Sequence, residues 1–276
     1  MGNQELELQR YARYGQDGVE FDEPRPGVLR LTLNRPKQWN PIPQRLHDSL
    51  PVLFAEIAED PNLHAFMLRG SGENFSSGGN VDEGMWRRNA GELVQLQHTA
   101  VRIITRLLEV PQTTVCVVNG PAIGFAASLA LHFDFIVAAE GATFYDSHAA
   151  FGAAPGDGLS VVAPLVLGPA IAREVLYAGK KLTAQEAQAR GLVNRVVPRE
   201  RVEEEAFGLL DDLDRMAPLA VRMGKMFVNA PLRAAAEQIL NLSIAAEMVT
   251  LTSDDYNRAV EGFKKDRRFN QEWEGR

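Results

Sequence analysis

The sequence has one cysteine in 276 residues, five histidines, and fewer basic than acidic side chains, 29 against 36, for a formal charge of −7. Cys116, alone in the apolar run "TTVCVVNG", has no partner for an internal disulfide and reads as a small buried hydrophobe in a reducing compartment. The acidic balance argues against a broad nucleic-acid-binding face. No two histidines stand at metal-ligand spacing with a third ligand nearby, so no metal site is expected. Long apolar runs are missing too. The start, "MGNQELELQRYARYGQDG", is polar, Gly2 lacks the serine or threonine of a myristoylation signal, and no later stretch reads as the roughly 18 apolar residues of a membrane helix. Neither nucleic acid nor membrane is expected as a partner, and the cytoplasm is the default compartment. What is present is a 30.4 kDa chain, 45% hydrophobic and 24% charged, long enough for one large α/β domain or a core with a small appendage.

Strand and helix patterns alternate along it. In "GVLRLTLNRP", Leu29, Leu31 and Leu33 alternate with Val28, Arg30 and Thr32, the period of a half-buried strand stopped by Pro36. "PIPQRLHDSLPVLFAEIAED" puts Leu46, Leu50, Leu53, Phe54 and Ile57 at helical spacing. "HAFMLRGSGENFSSGG" reads as a strand and a Gly/Ser loop, and "AGELVQLQHTAVRIITRLLEVP" as a long amphipathic helix closed by Pro111. "QTTVCVVNGPAIG" is a buried strand entering a turn, "FAASLALHF" a small-residue helix, "DFIVAAEGATFYD" another strand with a turn. This order predicts an α/β core with crossover connections. Thr183 and Glu186 make a capping box, and Gly191 ends that helix before the short strand "LVNRVV". Beyond Pro198 four helical segments follow, "ERVEEEAFGLLDDLDRM", "PLAVRMGKMFVN", "LRAAAEQILNLSIAAEMVTL" and "SDDYNRAVEGFKKD", a subdomain that packs on the core or on a neighbouring subunit.

Two glycine-containing turns follow apolar strands, "FSSGGNVDEG" at 75–84 and "NGPAIGFAAS" at 119–128. Glycine lets backbone N–H groups approach a ligand, so two such turns facing one another would form an oxyanion hole; each alone is as readily a plain turn. His148 and Asp157 lie on either side of a turn built from Gly152, Pro155, Gly156 and Gly158. One reading folds them together, with the aspartate orienting the imidazole as a base near neutral pH. The other has Asp157 cap the helix starting near "LSVVAPLVLG" while His148 fills a polar pocket. His132 reads as helix packing, and His47, His64 and His98 as solvent-facing.

The order "FSSGGNVDEG", long helix, "VPQTTVCVVNGPAIGFAASLALHFDFIVAAEGATF" and "GLVNRVVP" resembles the crotonase (enoyl-CoA hydratase/isomerase) superfamily over about residues 20–270, with "LTLNRPKQWN" and "SDDYNRAVEGFKKDRR" matching its first strand and last helix. The resemblance implies an α/β spiral of strand-strand-helix turns over residues 1–200 and a C-terminal helical trimerisation region over 201–276. It implies a homotrimer or hexamer, and a substrate carbonyl held by the N–H groups of Gly79 and Phe125, where the family usually has glycine in place of Phe125. It places coenzyme A, as part of the substrate rather than as a separate cofactor, near Arg35, Lys37 and Lys264.

The two glutamates of the family's hydratases are replaced here by Ser128 and His148. His148 with Asp157 and "PGDG" resembles 6-oxocamphor hydrolase and related β-diketone hydrolases, and Glu247 matches a glutamate of those enzymes, although their further histidine near the second oxyanion loop is missing. The leading expectation is hydrolytic C–C cleavage of a β-dicarbonyl, with His148, Asp157 and Glu247 catalytic. The alternatives are an enoyl-CoA hydratase/isomerase with a histidine base and a non-catalytic acyl-CoA-binding protein.

Overall fold

The computed structural model describes residues 8–15, 18–83, 89–268 and 272–275. The reading of Gly2 and the last glycine of "FSSGGNVDEG" fall outside the described residues.

The chain starts with the short helix α1 (Gln9–Ala12), the hairpin β1 (Val19–Arg25) and β2 (Val28–Leu33), helix α2 (Gln44–Glu59) and strand β3 (Ala65–Gly70). Helix α3 (Ala90–Glu109), with an Asn89/Glu92 capping box, leads to β4 (Thr113–Val118), β5 (Ala122–Ile123) and α4 (Phe125–Ala130). Then come β6 (Phe135–Ala139), β7 (Thr143–Tyr145), α5 (Leu159–Leu176), β8 (Leu182–Thr183), α6 (Ala184–Ala189) and β9 (Arg195–Val197). Helices α7 (Val202–Asp214), α8 (Pro218–Thr250) and α9 (Asp254–Asp266) end the described chain.

Six strands form one sheet in the order β1-β2-β3-β4-β6-β9, antiparallel only at β1·β2. Parallel neighbours need crossovers, and α2, α3 and α4 supply them. Between crossovers the chain also visits a second, three-stranded layer, β5-β7-β8. The path is therefore a spiral in which successive turns add a strand to the large sheet and, from β4 onward, a strand to the smaller one. Strand β4, between β3 and β6 and against α7, is buried along five of its six residues, which is why it reads as an unbroken apolar run.

The structure departs from the sequence reading in three elements. Strand β1 is not among the elements read from the sequence; in "VEFDEPR" Glu20 is exposed and Asp22 and Glu23 are half-buried while the strand pairs with β2. The segments on either side of Pro231 fuse into the single helix α8. Its exposed surface leaves the carbonyl that Pro231 cannot satisfy open to water. Helix α5 is long and apolar enough to cross a membrane by length and composition, contrary to the reading that no such stretch exists. It breaks at Gly168 (φ 74°) and packs against α8.

Candidate active site

Three backbone segments are zipped together at one end of the sheet. The Ser76 N–H donates to the Pro121 carbonyl (3.1 Å) and the Ile123 N–H to the Ser76 carbonyl (3.0 Å), while the Ile42 N–H donates to the Gly78 carbonyl (2.8 Å) and the Asn80 N–H to the Ile42 carbonyl (3.2 Å). Because the last pair uses the groups on either side of Gly79, the Gly79 N–H points the other way. The Phe125 N–H is the first amide of α4 and has no partner within that helix. Among the described residues neither amide donates a backbone hydrogen bond. A Cβ on Gly78 (φ 83°) would stand 2.5 Å from the Ile123 carbonyl oxygen and 3.2 Å from the Phe125 nitrogen, so only glycine allows the two loops to face each other this closely. The two amides named in the sequence thus line one gap.

The second loop is tied in turn to the histidine, since the Gly124 N–H donates to the Tyr145 carbonyl (2.8 Å) at the end of β7. Directly after that strand Asp146 accepts from both the His148 backbone N–H (2.9 Å) and its ring Nδ1 (2.7 Å). Nδ1 therefore carries a proton, and Nε2 faces inward. There it lies 3.5 Å from Asp157 Oδ2 and 3.7 Å from Glu247 Oε1. His148 and Asp157 are folded together, but the close bond that fixes the ring comes from Asp146, which sequence reasoning missed. Asp157 makes no cap: the helix N-cap is Gly158, without a side-chain bond.

Glu247 arrives from α8 through a matched face. Ser243, one turn earlier, donates to the Gly156 carbonyl (3.1 Å), and Thr250, almost one turn later, accepts from the Ala154 N–H (2.8 Å). A Cβ on Gly156 would sit 2.2 Å from Glu247 Oε2, so the "PGDG" glycine is the space through which the glutamate reaches the site.

Burial would push His148 down, but the charges of Asp157 and Asp146 and the bond to Asp146 outweigh it and hold the ring well above the usual imidazole range. The Asp157 carboxyl is raised by burial, partly offset by His148. Burial raises Glu247 to about 8, against the attraction of His148. At neutral pH the ring is an imidazolium and Glu247 keeps its proton. The expected free imidazole base is thus replaced by a charged ring among three carboxyl groups.

His47 is a second group the sequence reading misplaced. Its side chain is 16% exposed, its ring lies 5.1 Å from that of Phe125, and it lies within electrostatic reach of Asp157. The signal was hidden because a histidine on the polar side of an amphipathic helix looks like any solvated one. His64 and His98 are exposed, as expected. From the C-terminal side, α9 closes over the turn after His148, with Phe263 5.1 Å from Phe151 and Arg267 bonded to Asp82 (3.2 Å) beyond Gly79. Of the three cations expected near a nucleotide, Lys37 is exposed, while Arg35 and Lys264 are half-buried and already make contacts within the chain.

A family model described as enoyl-CoA hydratase/isomerase matches residues 23–276. Carnitinyl-CoA dehydratase from Salmonella typhi is 33% identical over 208 residues, 74% of this chain and 77% of that protein. A solved enoyl-CoA hydratase/isomerase from Mycobacterium paratuberculosis superimposes with a TM-score of 0.84 at 26% identity, covering 89% of this chain and 98% of that one. A β-diketone hydrolase from the cyanobacterium Anabaena shares the fold, with a TM-score of 0.81 at 24% identity over 91% of this chain and 98% of that one. Because the family model runs from the first sheet strand through the helix that closes the site, this chain is an enzyme of the enoyl-CoA hydratase/isomerase family, within the crotonase superfamily.

Proposed function

We propose that this enzyme cleaves the carbon–carbon bond of a β-dicarbonyl by hydrolysis. One observation carries the reading: a single imidazole, His148, ringed by Asp146, Asp157 and Glu247, stands at one of the two glutamate positions of the hydratases, and the other position is Ser128, fully buried. Hydrolysis needs one group to take a proton from water, one to return it, and a hole for an enolate oxygen.

Asp157, its carboxylate paired with the imidazolium, takes a proton from water as the hydroxide adds to one carbonyl carbon. The bond from that carbon to the α-carbon breaks, and its electron pair moves into the second carbonyl, whose oxygen becomes an enolate between the Gly79 and Phe125 amides. Each such donor contributes roughly 3–4 kcal/mol to lowering the barrier. Glu247 or His148 then protonates the α-carbon and regains its proton from Asp157, which gives a carboxylic acid and a ketone and restores the starting site. No separate cofactor is required, and coenzyme A would enter only as part of a β-ketoacyl substrate.

A second reading is favoured by the family itself, whose matched relative is named for a coenzyme A thioester. In it the same cluster moves a proton between two carbons, or adds water across a double bond, of an acyl-CoA. The engagement of Arg35 and Lys264 within the chain weighs against a wide nucleotide grip and ranks this second.

His148→Ala is expected to lower turnover of a cyclic 1,3-diketone by about 10²–10⁴ with the fold intact by circular dichroism. Unchanged turnover would overturn the proposal.

A further inference from the structure

Ser128 and His132 stand one helical turn apart at the end of α4, 0% and 3% exposed. His132 Nδ1 lies 2.7 Å from the Ser128 carbonyl oxygen, which places the ring proton on Nδ1 and leaves Nε2 a bare acceptor. Burial lowers His132 to about 4, so the ring is neutral. Among the described residues, Nε2, the Ser128 hydroxyl and both Asp157 carboxylate oxygens are buried without a hydrogen-bond partner. They are neighbours. A Cβ on Gly158 would stand 3.1 Å from His132 Cε1, which puts the ring against the backbone beside Asp157. The Ser128 hydroxyl faces the Asp157 carboxylate closely enough to favour its charged form, although outside ordinary hydrogen-bond geometry.

A buried polar atom left unpaired is costly, so four gathered in one place indicate a set that pairs in the working enzyme. The set holds three acceptors and one hydroxyl donor; the His148 Nε2–H, 3.5 Å away, faces one Asp157 oxygen from outside the set, and a single water supplies the donors still missing. We propose that Ser128 and His132 are a buried positioning pair for Asp157. Ser128 donates its hydroxyl to the carboxylate, and His132, bonded to the Ser128 carbonyl, holds that serine in place and completes the set through one water.

This rests on the reading of Asp157 as the group that accepts the proton of water. Asp157 is also faced by His148 and Asp146 from the turn after β7, Glu247 from α8 and His47 from α2. Against these, the serine hydroxyl is the uncharged donor that keeps Asp157 ionised without competing for substrate.

The test follows the Asp157 carboxyl carbon by NMR in aspartate-¹³C-labelled full-length protein, assigned with Asp157→Asn. Ser128→Ala is expected to move its titration midpoint upward by about one unit, and Ser128→Thr to restore it. His132→Phe, which keeps the ring, is expected to move it in the same direction. The acid limb of kcat/KM on the diketone should shift with it in Ser128→Ala. An unchanged Asp157 midpoint in folded Ser128→Ala overturns the proposal, and should His132→Phe fail to fold, the two serine variants decide. Because the NMR readout needs no turnover, it separates this result from failure of the hydrolytic reading, which His148→Ala tests.

Discussion

Three carboxyl groups around one imidazole cannot all be ionised in a buried site, and their proton affinities become part of the enzyme's stability. Glu247 titrates at about 8 in the folded chain against an ordinary 4.5, so the folded state holds its proton more tightly. Its contribution is complete below pH 4.5 and is lost as pH rises to 8. Glu247→Gln removes that loss, so thermal melts should show the variant gaining on the parent between pH 5 and 9; a constant difference would contradict the assignment. His132 has the opposite sign, with a folded value of about 4 against 6.5. Its contribution, about 3 kcal/mol, is present above pH 6.5 and lost on acidification toward 4. Urea midpoints of His132→Phe should therefore lack part of the parent's decline over that range. At this scale the sequence made His148, Asp157, Glu247, Gly79 and Phe125 legible through spacing and resemblance. Asp146 was not, because it reads as the last residue of a strand, and only the turn geometry makes a residue two places before His148 its closest partner. His47 was hidden because no periodicity reports that Phe125 would cover it.

Elements reach the site by close approach, so small additions at the crossing points matter more than large ones elsewhere. Gly156→Ala would set a methyl 2.7 Å from Glu247 Cβ and force α8 away from the turn. The expected result is a loss of about 1–3 kcal/mol in urea unfolding and at least a tenfold fall in turnover, since Glu247 and the loop held by Ser243 and Thr250 move together. Equal turnover in Gly156→Ala would mean that α8 does not place a working group. The alternating strands and crossovers were readable from period alone, as was the Thr183/Glu186 capping box, which closes as expected. What period could not show was that Pro231 lies within one helix, or that "VEFDEPR" joins the sheet. In both cases tertiary packing overrides the local signal: α8 is held by α3 and α5 on either side, and β1 by its ladder to β2.

Across the whole molecule, the apolar residues left uncovered argue for assembly. The apolar stripe of the segment after Pro231, which by its sequence could serve the core or a neighbouring subunit, is mostly buried by the chain itself, including Ala236, Leu240, Ile244 and Met248. Five exposed apolar residues cluster instead toward the start of α8, at Leu219, Met223, Met226, Phe227 and Val228, the last two 74% and 78% exposed, while Leu242 and Val249 stand exposed singly further along it. We propose that this patch joins copies of the chain. Light scattering should then return a multiple of 30.4 kDa, with Phe227→Glu shifting it toward the single chain; a single-chain mass for the parent at micromolar concentration would contradict this. Which bond the enzyme breaks is read most directly by incubating the full-length enzyme in ¹⁸O-water with a cyclic 1,3-diketone and, separately, with crotonyl-CoA, followed by mass spectrometry. One ¹⁸O in a new carboxylate of the ring-opened diketone is the expected result. Label found only as a β-hydroxyl on intact thioester, with the diketone untouched, would contradict it and leave a hydratase that works through His148.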